Sequence, residues 1–203
     1  MGLAQRQIDK AVQTFRSHGG VLRTSEAMRN GIQPRVLYAM RDERMLEMLA
    51  RGCFRLAEMG AMSNPDLTVV AKAVPKGIVC LISALTFHEI TTQIPHAVDL
   101  ALRAHTHRPK IGYPPVQTHW FGGKTYSEGI EQHVIDGVPA QIYSAAKTVA
   151  DCFKFRNKVG LDVAVEALKL CRQRKRTTGQ EFQRFARICR VENVMAPYLE
   201  AVL

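Results

Sequence analysis

The chain has 203 residues, of which 46% are apolar and 23% charged, and its formal net charge is +10. These proportions are ordinary for a globular protein and exclude a disordered or collagen-like chain. The basic balance favours a polyanionic partner, either nucleic acid or an acidic membrane surface. The charge alone does not choose between the two.

Cysteine usage and the amino-terminal sequence predict a reduced, cytoplasmic protein. The five cysteines are odd in number and none has C-x-x-C spacing, so neither a disulfide framework nor a Cys-rich zinc site is expected. The first residues contain no apolar signal core. The most apolar stretch, 77–87, is about half the ~20 residues that a membrane span needs. We therefore expect no membrane partner.

The first 60 residues have the element order of a winged helix-turn-helix. Apolar residues at helical spacing predict a first helix through 8–15, and a short second helix follows at 24–28. Gln33-Pro34 opens a third helix, because Pro is tolerated in the first turn. Two short strands are then predicted at 46–48 and 53–56, joined by a turn that contains Arg51.

The third helix predicts a DNA-binding surface. At about 100° per residue, Val36, Leu37 and Met40 fall on one face, and Arg35 and Tyr38 fall on the opposite face. A recognition helix needs this division, because one side packs on the core and the other enters the major groove. The residues predicted to contact bases or phosphates are Arg29, Gln33, Arg35, Tyr38, Arg41 and Arg51.

The charge of this segment is consistent with DNA binding but modest. Residues 1–60 carry 10 Lys and Arg against 6 Asp and Glu. A homodimer or cooperative binding would double this excess at the DNA. The alternative is a small helical domain that binds protein, since winged helices also serve that purpose.

A small, polar stretch at 57–64 predicts a linker, so that 1–60 forms the DNA-binding domain and 61–203 a second domain. In the second domain the sequence predicts an apolar core helix at 77–89, strands at 97–103 and 116–121, and a β-hairpin with an Asp136-Gly137 turn. Helices return after Ser144. We therefore expect an α+β protein, with a winged helix-turn-helix followed by helices around a small, mostly antiparallel sheet.

No catalytic constellation, metal site or cofactor motif is expected. The pair His105 and His107 has no carboxylate or Cys at ligand-like spacing, and Gly122-Gly123-Lys124 is not followed by the signals of a phosphate-binding helix. The enzyme alternative is a degenerate nuclease or nucleotidyltransferase domain, whose metal-dependent activity Asp99 or Asp151 would carry. Because the carboxylates are not paired, we predict that the protein is not an enzyme.

The remaining distinctive feature is the segment from Lys169 to Arg190, which we call the basic segment. It carries eight cations against the single acid Glu181, with apolar residues between them, so a structured, one-sided surface is expected. These cations could bind DNA or another protein, or they could face solvent only. Its cations are Lys169, Arg172, Arg174, Lys175, Arg176, Arg184, Arg187 and Arg190.

Several longer stretches follow one another in the order typical of one protein family. They include LARGCFRL at 49–56, NPDL at 64–67, VPKGIVCLISAL at 74–85, TTQIPH at 91–96, YSAAKTVADCFK at 143–154 and RICR at 187–190. In these stretches the chain resembles the AbiEi-type antitoxins of type IV toxin–antitoxin systems, which are also described as transcriptional regulators.

The resemblance implies a prokaryotic regulator with two domains. Its amino-terminal winged helix would bind repeats in its own promoter and repress transcription. Its carboxy-terminal domain would counter a nucleotidyltransferase-like toxin encoded beside it, functionally and without necessarily forming a stable complex. The alternatives are a stand-alone winged-helix regulator and a protein-interaction module without a toxin.

Overall fold

The structure is a computed structural model, and it describes residues 5–175 and 177–202. The chain divides into two compact units. The amino-terminal unit comprises the described residues up to Pro75 together with 110–114 and 133–140, and the carboxy-terminal unit comprises the rest. The α+β class expected from the sequence is confirmed, since helices and two separate sheets share the chain.

The amino-terminal unit combines helices with a three-stranded antiparallel sheet of order β1-β3-β2. Its elements are α1 (Gln5–Ser17), β1 (Val21–Arg23), α2 (Thr24–Arg29), α3 (Pro34–Asp42), β2 (Leu46–Ala50), β3 (Cys53–Leu56) and α4 (Pro65–Ala73). The sequence predicted α1, α2, α3, β2 and β3, whereas it did not predict β1. Three residues are too few to show an alternating pattern, and β1 is defined by its pairing with β3.

One apolar cluster fills this unit. Phe15 of α1, Leu37 and Met40 of α3, and Phe54 and Leu56 of β3 are each at most 2% exposed. The helical spacing of the apolar side chains on α1 and α3 places them on one face of each helix, where they leave water together. Burial of these large side chains therefore holds α3 against the sheet.

The polar stretch 57–64, predicted as a linker, is anchored within this unit. The Asp136 carboxylate accepts hydrogen bonds from the backbone N–H groups of Ser63 and Asn64 at 2.8 and 3.1 Å, and from the Thr68 hydroxyl at 3.0 Å. Asp136 and Gly137 both have positive φ, as the predicted hairpin turn requires. A Cβ at Gly137 would lie 2.3 Å from the carbonyl oxygen of Gly19, so no larger residue fits there.

The carboxy-terminal unit is built around a five-stranded sheet; the tip of its β7–β8 hairpin belongs to the amino-terminal unit. Its elements are β4 (Ile78–Val79), α5 (Leu81–Phe87), β5 (Val98–Arg103), β6 (Val116–Phe121), α6 (Lys124–Ser127), β7 (Ile130–Ile135), β8 (Val138–Tyr143), α7 (Ala145–Lys154), α8 (Arg156–Val159), α9 (Leu161–Gln173), α10 (Gly179–Cys189) and α11 (Glu192–Val202). None of the helices in 5–175 and 177–202 is long and apolar enough to cross a membrane.

The sheet of this unit differs from the prediction in the direction of its strands. Its order is β6-β5-β4-β8-β7, with β5–β6 and β4–β8 parallel and β4–β5 antiparallel. The sheet is therefore mixed, and the expectation of a mostly antiparallel sheet was wrong. Alternation along a strand reports which side chains are buried, whereas strand direction depends on partners that are distant in sequence.

The prediction of a single helix at 77–89 was also partly wrong. Ile78 and Val79 form β4 at the centre of the sheet, and the helix α5 begins only at Leu81. A short apolar run suits a buried strand as well as a buried helix, so periodicity does not separate the two. Around this centre the core includes α7, whose residues 145–153 are all buried.

Candidate nucleic-acid interface

The helix α3 is held by one face and presents the other. Its apolar residues Val36, Leu37 and Met40 are at most 3% exposed, which confirms the two-faced pattern predicted from the sequence. The helix begins after Gln33, whose extended backbone precedes Pro34 and whose carbonyl accepts the N–H of Val36 at 2.9 Å. Packing on the core therefore sets which side chains point outward.

The outward face of α3 carries polar side chains that are exposed to solvent. Arg35 and Gln33 are exposed, and the Gln33 side chain makes no capping hydrogen bond. Within the part of the chain that the structure describes, Arg35 forms no ion pair. Tyr38 is 47% exposed, and its ring meets the buried Phe54 edge to face at 6.3 Å. The core thus supports a tyrosine whose polar end remains available.

Arg41 is already engaged on this face. Its Nη2 and Nε atoms lie 2.7 and 3.0 Å from Oδ1 of Asp42, and its guanidinium lies 5.2 Å from the centre of the Tyr38 ring. The ion pair and the ring together orient Arg41. A phosphate that contacts these two nitrogen atoms of Arg41 would take the place of Asp42 as their partner.

Arg29 and Arg51 flank α3 from neighbouring elements. Arg29 lies exposed at the end of α2, where its Nε donates to the Ser25 carbonyl at 3.3 Å. Arg51 lies exposed in the turn between β2 and β3, which Gly52 completes with a φ of 71°. The carbonyl of Gly52 accepts the N–H of Thr24 at 2.9 Å, so this turn is fixed to the start of α2.

A further group of side chains near Arg51 was not predicted from the sequence. Arg23, Arg51, Lys110 and Tyr113 line one cleft of about 500 Å³ in the amino-terminal unit. Lys110 and Tyr113 are exposed and come from the connection between β5 and β6. No motif marks this loop, and its place beside the turn is decided by tertiary contacts alone.

The basic segment is less uniform than its sequence indicated. Arg174 is paired with Glu89 at 3.0 Å, Arg184 with Glu128 at 2.6 Å and Arg187 with Glu192 at 3.1 Å. These acids lie outside the segment in sequence, so a count along the chain misses them. The exposed cations Lys169 and Lys175 and the half-buried Arg172 form no ion pair among the described residues, and Arg176 lies outside the described residues.

The end of the basic segment faces a second cleft. Arg187 and Arg190 line it together with Lys154 and with Lys124 of the Gly122-Gly123-Lys124 stretch. The single surface expected from the sequence is therefore divided, because only its last cations reach this cleft.

The two carboxylates of the enzyme alternative, Asp99 and Asp151, each have their own hydrogen-bond partners. Asp99 accepts a hydrogen bond from His119 Nε2 at 2.8 Å. Asp151 is paired with the buried Lys147 and accepts a hydrogen bond from the Cys189 thiol. Burial raises the pKa of Asp151, although the charge of Lys147 acts against the shift. In the described parts of the chain, no three His, Cys, Asp or Glu side chains gather as metal ligands would.

Comparison with known proteins bears on the fold. No protein-family model and no curated protein matches the chain. Its structure is similar to the crystal structure of the RV2827C protein from Mycobacterium tuberculosis, with a TM-score of 0.58 and 11% sequence identity. The similarity covers 89% of this chain and 71% of that chain, so the two proteins share their fold over most of their length.

Proposed function

We propose that the amino-terminal unit is a winged helix-turn-helix that binds double-stranded DNA, and that the protein represses its own promoter. The observation that carries this proposal is α3, whose apolar face is buried while Arg35, Tyr38 and Gln33 are presented outward. α3 is the recognition helix in this proposal, and the β2–β3 turn is the wing.

The side chains divide into two roles. Arg35 and Gln33, at the start of α3, read base edges, because the first residues of a recognition helix enter the groove most deeply. Arg29, Arg41 and Arg51 bind phosphates and fix the register of the helix on the duplex. Lys110 joins Arg51 at the wing as a further phosphate contact, since both line one cleft.

The decisive experiment compares a double variant, Arg35→Ala with Arg41→Ala, with the wild type on DNA from upstream of the gene. If each of the two lost contacts costs at least about 1 kcal/mol, affinity in fluorescence anisotropy should fall by roughly thirtyfold or more. The salt dependence should become shallower, because fewer counterions are released.

A matched control removes the same charge elsewhere in the unit. Arg6 and Lys10 are exposed on α1, and Arg6→Ala with Lys10→Ala should lower affinity far less. Equal losses of affinity in the two double variants would mean that α3 contributes only its positive charge. Unchanged affinity in the Arg35 and Arg41 variant would remove the recognition-helix assignment.

The antitoxin role is proposed on the resemblance, with a separate carboxy-terminal unit available to carry it. The partner is a nucleotidyltransferase-like toxin encoded beside the gene, opposed functionally. In cells that express the neighbouring reading frame, Arg35→Ala with Arg41→Ala should lose repression and keep protection. Arg172→Glu with Arg174→Glu should do the reverse if the basic segment acts on the toxin. Protection that is absent even with the wild-type protein would leave a stand-alone repressor.

A further inference from the structure

The carboxy-terminal unit contains a concave site lined by cations from separate elements. Lys124 starts α6, Lys154 ends α7, and Arg187 and Arg190 lie at the end of α10. The cleft has a volume of about 650 Å³, and no acidic residue is among the described residues that line it. This volume lies in the range of small-molecule sites.

Three of these four cations lack an ion-pair partner among the described residues. Lys124, Lys154 and Arg190 form no ion pair within 5–175 and 177–202. Arg187 is paired with Glu192, but both side chains are more than half exposed, and such pairs are weak. The cleft therefore concentrates positive charge that ion pairs among the described residues neutralise only in part.

Helix stability explains only part of this arrangement. Lys154 and Arg187 lie in the last turns of α7 and α10, where a cation interacts favourably with the helix dipole. Lys124 lies at the opposite end of its helix. Arg190 adopts a left-handed backbone with φ 59° and ψ 46°, a conformation that favours Gly or Asn over Arg.

The turn before Lys124 lines the cleft with two glycines, Gly122 and Gly123. Gly123 has a φ of 53° and a ψ of −137°, which excludes most other residues. A Cβ at Gly122 would meet only the Cβ of Ala104, at 3.8 Å, so packing does not require glycine there. The missing side chains leave backbone at the wall of the cleft, where an anion could approach closely.

We propose that this cleft binds an oligophosphate, that is, two or three linked phosphate groups. Four converging cations match the charge of a triphosphate, and charge-assisted hydrogen bonds to phosphate are the contacts that Lys and Arg make best. Ile188 is the one large apolar side chain among the described residues of the lining, so recognition falls on the phosphates and not on a base. The concave form suits a compact anion better than the backbone of a duplex.

The test measures binding of sodium tripolyphosphate, ATP and a DNA duplex to the full-length protein by isothermal titration calorimetry. We expect saturable binding of tripolyphosphate and ATP with similar Kd values below about 1 mM, a weak affinity for such sites. Lys124→Gln and Arg190→Gly should each weaken both about tenfold or more, since each removes a charge-assisted contact. If ATP bound more tightly than tripolyphosphate, the site would also contact the nucleoside. If only tripolyphosphate bound, the ligand would be an inorganic phosphate chain.

Arg190→Gly also separates binding from folding. Glycine relieves the left-handed backbone, so the melting temperature without ligand should rise while oligophosphate affinity falls. Lys169→Gln is the matched control, because it removes an exposed cation of the basic segment outside the cleft. Equal weakening by Lys169→Gln, or no saturable binding of either phosphate compound, would overturn the proposal. The proposal would also be overturned if the cleft variants weakened binding of the DNA duplex alone. The double variant Arg35→Ala with Arg41→Ala tests the role of α3 independently.

Discussion

The guanidinium of Arg41 donates two hydrogen bonds to one carboxylate oxygen of Asp42, at 2.7 and 3.0 Å, on the face of α3 proposed to meet DNA. The two side chains are 40% and 66% exposed, and an ion pair of this exposure contributes about 0–1 kcal/mol. A phosphate can therefore take the place of Asp42. In the proposed complex, the carboxylate would weaken DNA binding, both by holding Arg41 and by repelling phosphates.

We predict that Asp42→Asn raises DNA affinity about fivefold at low salt, because it frees Arg41 and removes a negative charge. Fluorescence anisotropy titration measures the change. Glu43→Gln is the matched control, since Glu43 is an exposed neighbour that forms no ion pair among the described residues. If both variants gain equally, the release of Arg41 contributes nothing and only net charge matters.

The carboxylate of Asp136 anchors the start of α4 within the amino-terminal unit. Partial burial acts to raise its pKa, but hydrogen bonds from Ser63, Asn64 and Thr68 outweigh burial and lower the pKa below 3.8. Asp136→Asn should lower the free energy of unfolding by about 1–3 kcal/mol at neutral pH. Asn suits the positive φ at this position, so the change isolates the lost charge and hydrogen bonds.

The pH dependence of this effect follows from the direction of the shift. A lowered carboxyl pKa stabilises the fold fully above 3.8, and the contribution is lost as the pH falls through the folded-state pKa. Urea unfolding should therefore show a wild-type advantage at pH 7 that shrinks below pH 3.8. Asp9→Asn, an exposed substitution on α1, should show little effect at either pH. A gap between wild type and Asp136→Asn that is constant with pH would contradict this account.

The core of the carboxy-terminal unit contains a buried ion pair between Lys147 and Asp151, both 0% exposed. Lys147 Nζ lies 4.1 Å from the centre of the Tyr143 ring, and the Cys189 thiol donates to Asp151 at 3.2 Å. Removing one partner leaves the other charge unpaired in an apolar core. Lys147→Met and Asp151→Leu should each lower the free energy of unfolding by about 3–5 kcal/mol.

The double variant distinguishes the pair from its parts. Lys147→Met with Asp151→Leu replaces both charges with apolar groups, so its loss should be well below the sum of the single losses. Urea unfolding provides the comparison, and melting temperatures provide it for any variant that is purified in low yield. Additive losses would show that the two side chains do not act together.

The helix α10 begins with a reciprocal cap between Thr178 and Glu181. Thr178 Oγ1 accepts the N–H of Glu181 at 3.2 Å, and Glu181 Oε2 accepts the N–H of Thr178 at 2.8 Å. Thr178→Ala should cost about 1 kcal/mol of stability by urea unfolding. Gln180→Ala, which changes an exposed neighbour, is the control and should be nearly neutral. An equal effect of both changes would contradict a role for the cap.

The sequence by itself determined the elements that are defined by neighbours along the chain. The spacing of Val36, Leu37 and Met40 predicted which face of α3 is buried, because helical geometry repeats every 3.6 residues wherever the helix packs. The Asp136-Gly137 turn was predicted for a similar reason, since positive φ at two successive residues depends on local chemistry. The cations of α3 could be predicted, but not the pairing of Arg41 with Asp42, because side chains one residue apart on a helix do not normally face each other.

Only the tertiary structure decided which distant residues became neighbours. It made Ile78 and Val79 the central strand of a mixed sheet, anchored 57–64 to Asp136, and placed Lys110 beside Arg51. It also divided the net charge of the basic segment, pairing some cations with remote acids and bringing Arg190 to one cleft with Lys124 and Lys154. The physical reason is that burial and ion pairing depend on distance through space, which residue spacing specifies only within a single helix, strand or turn.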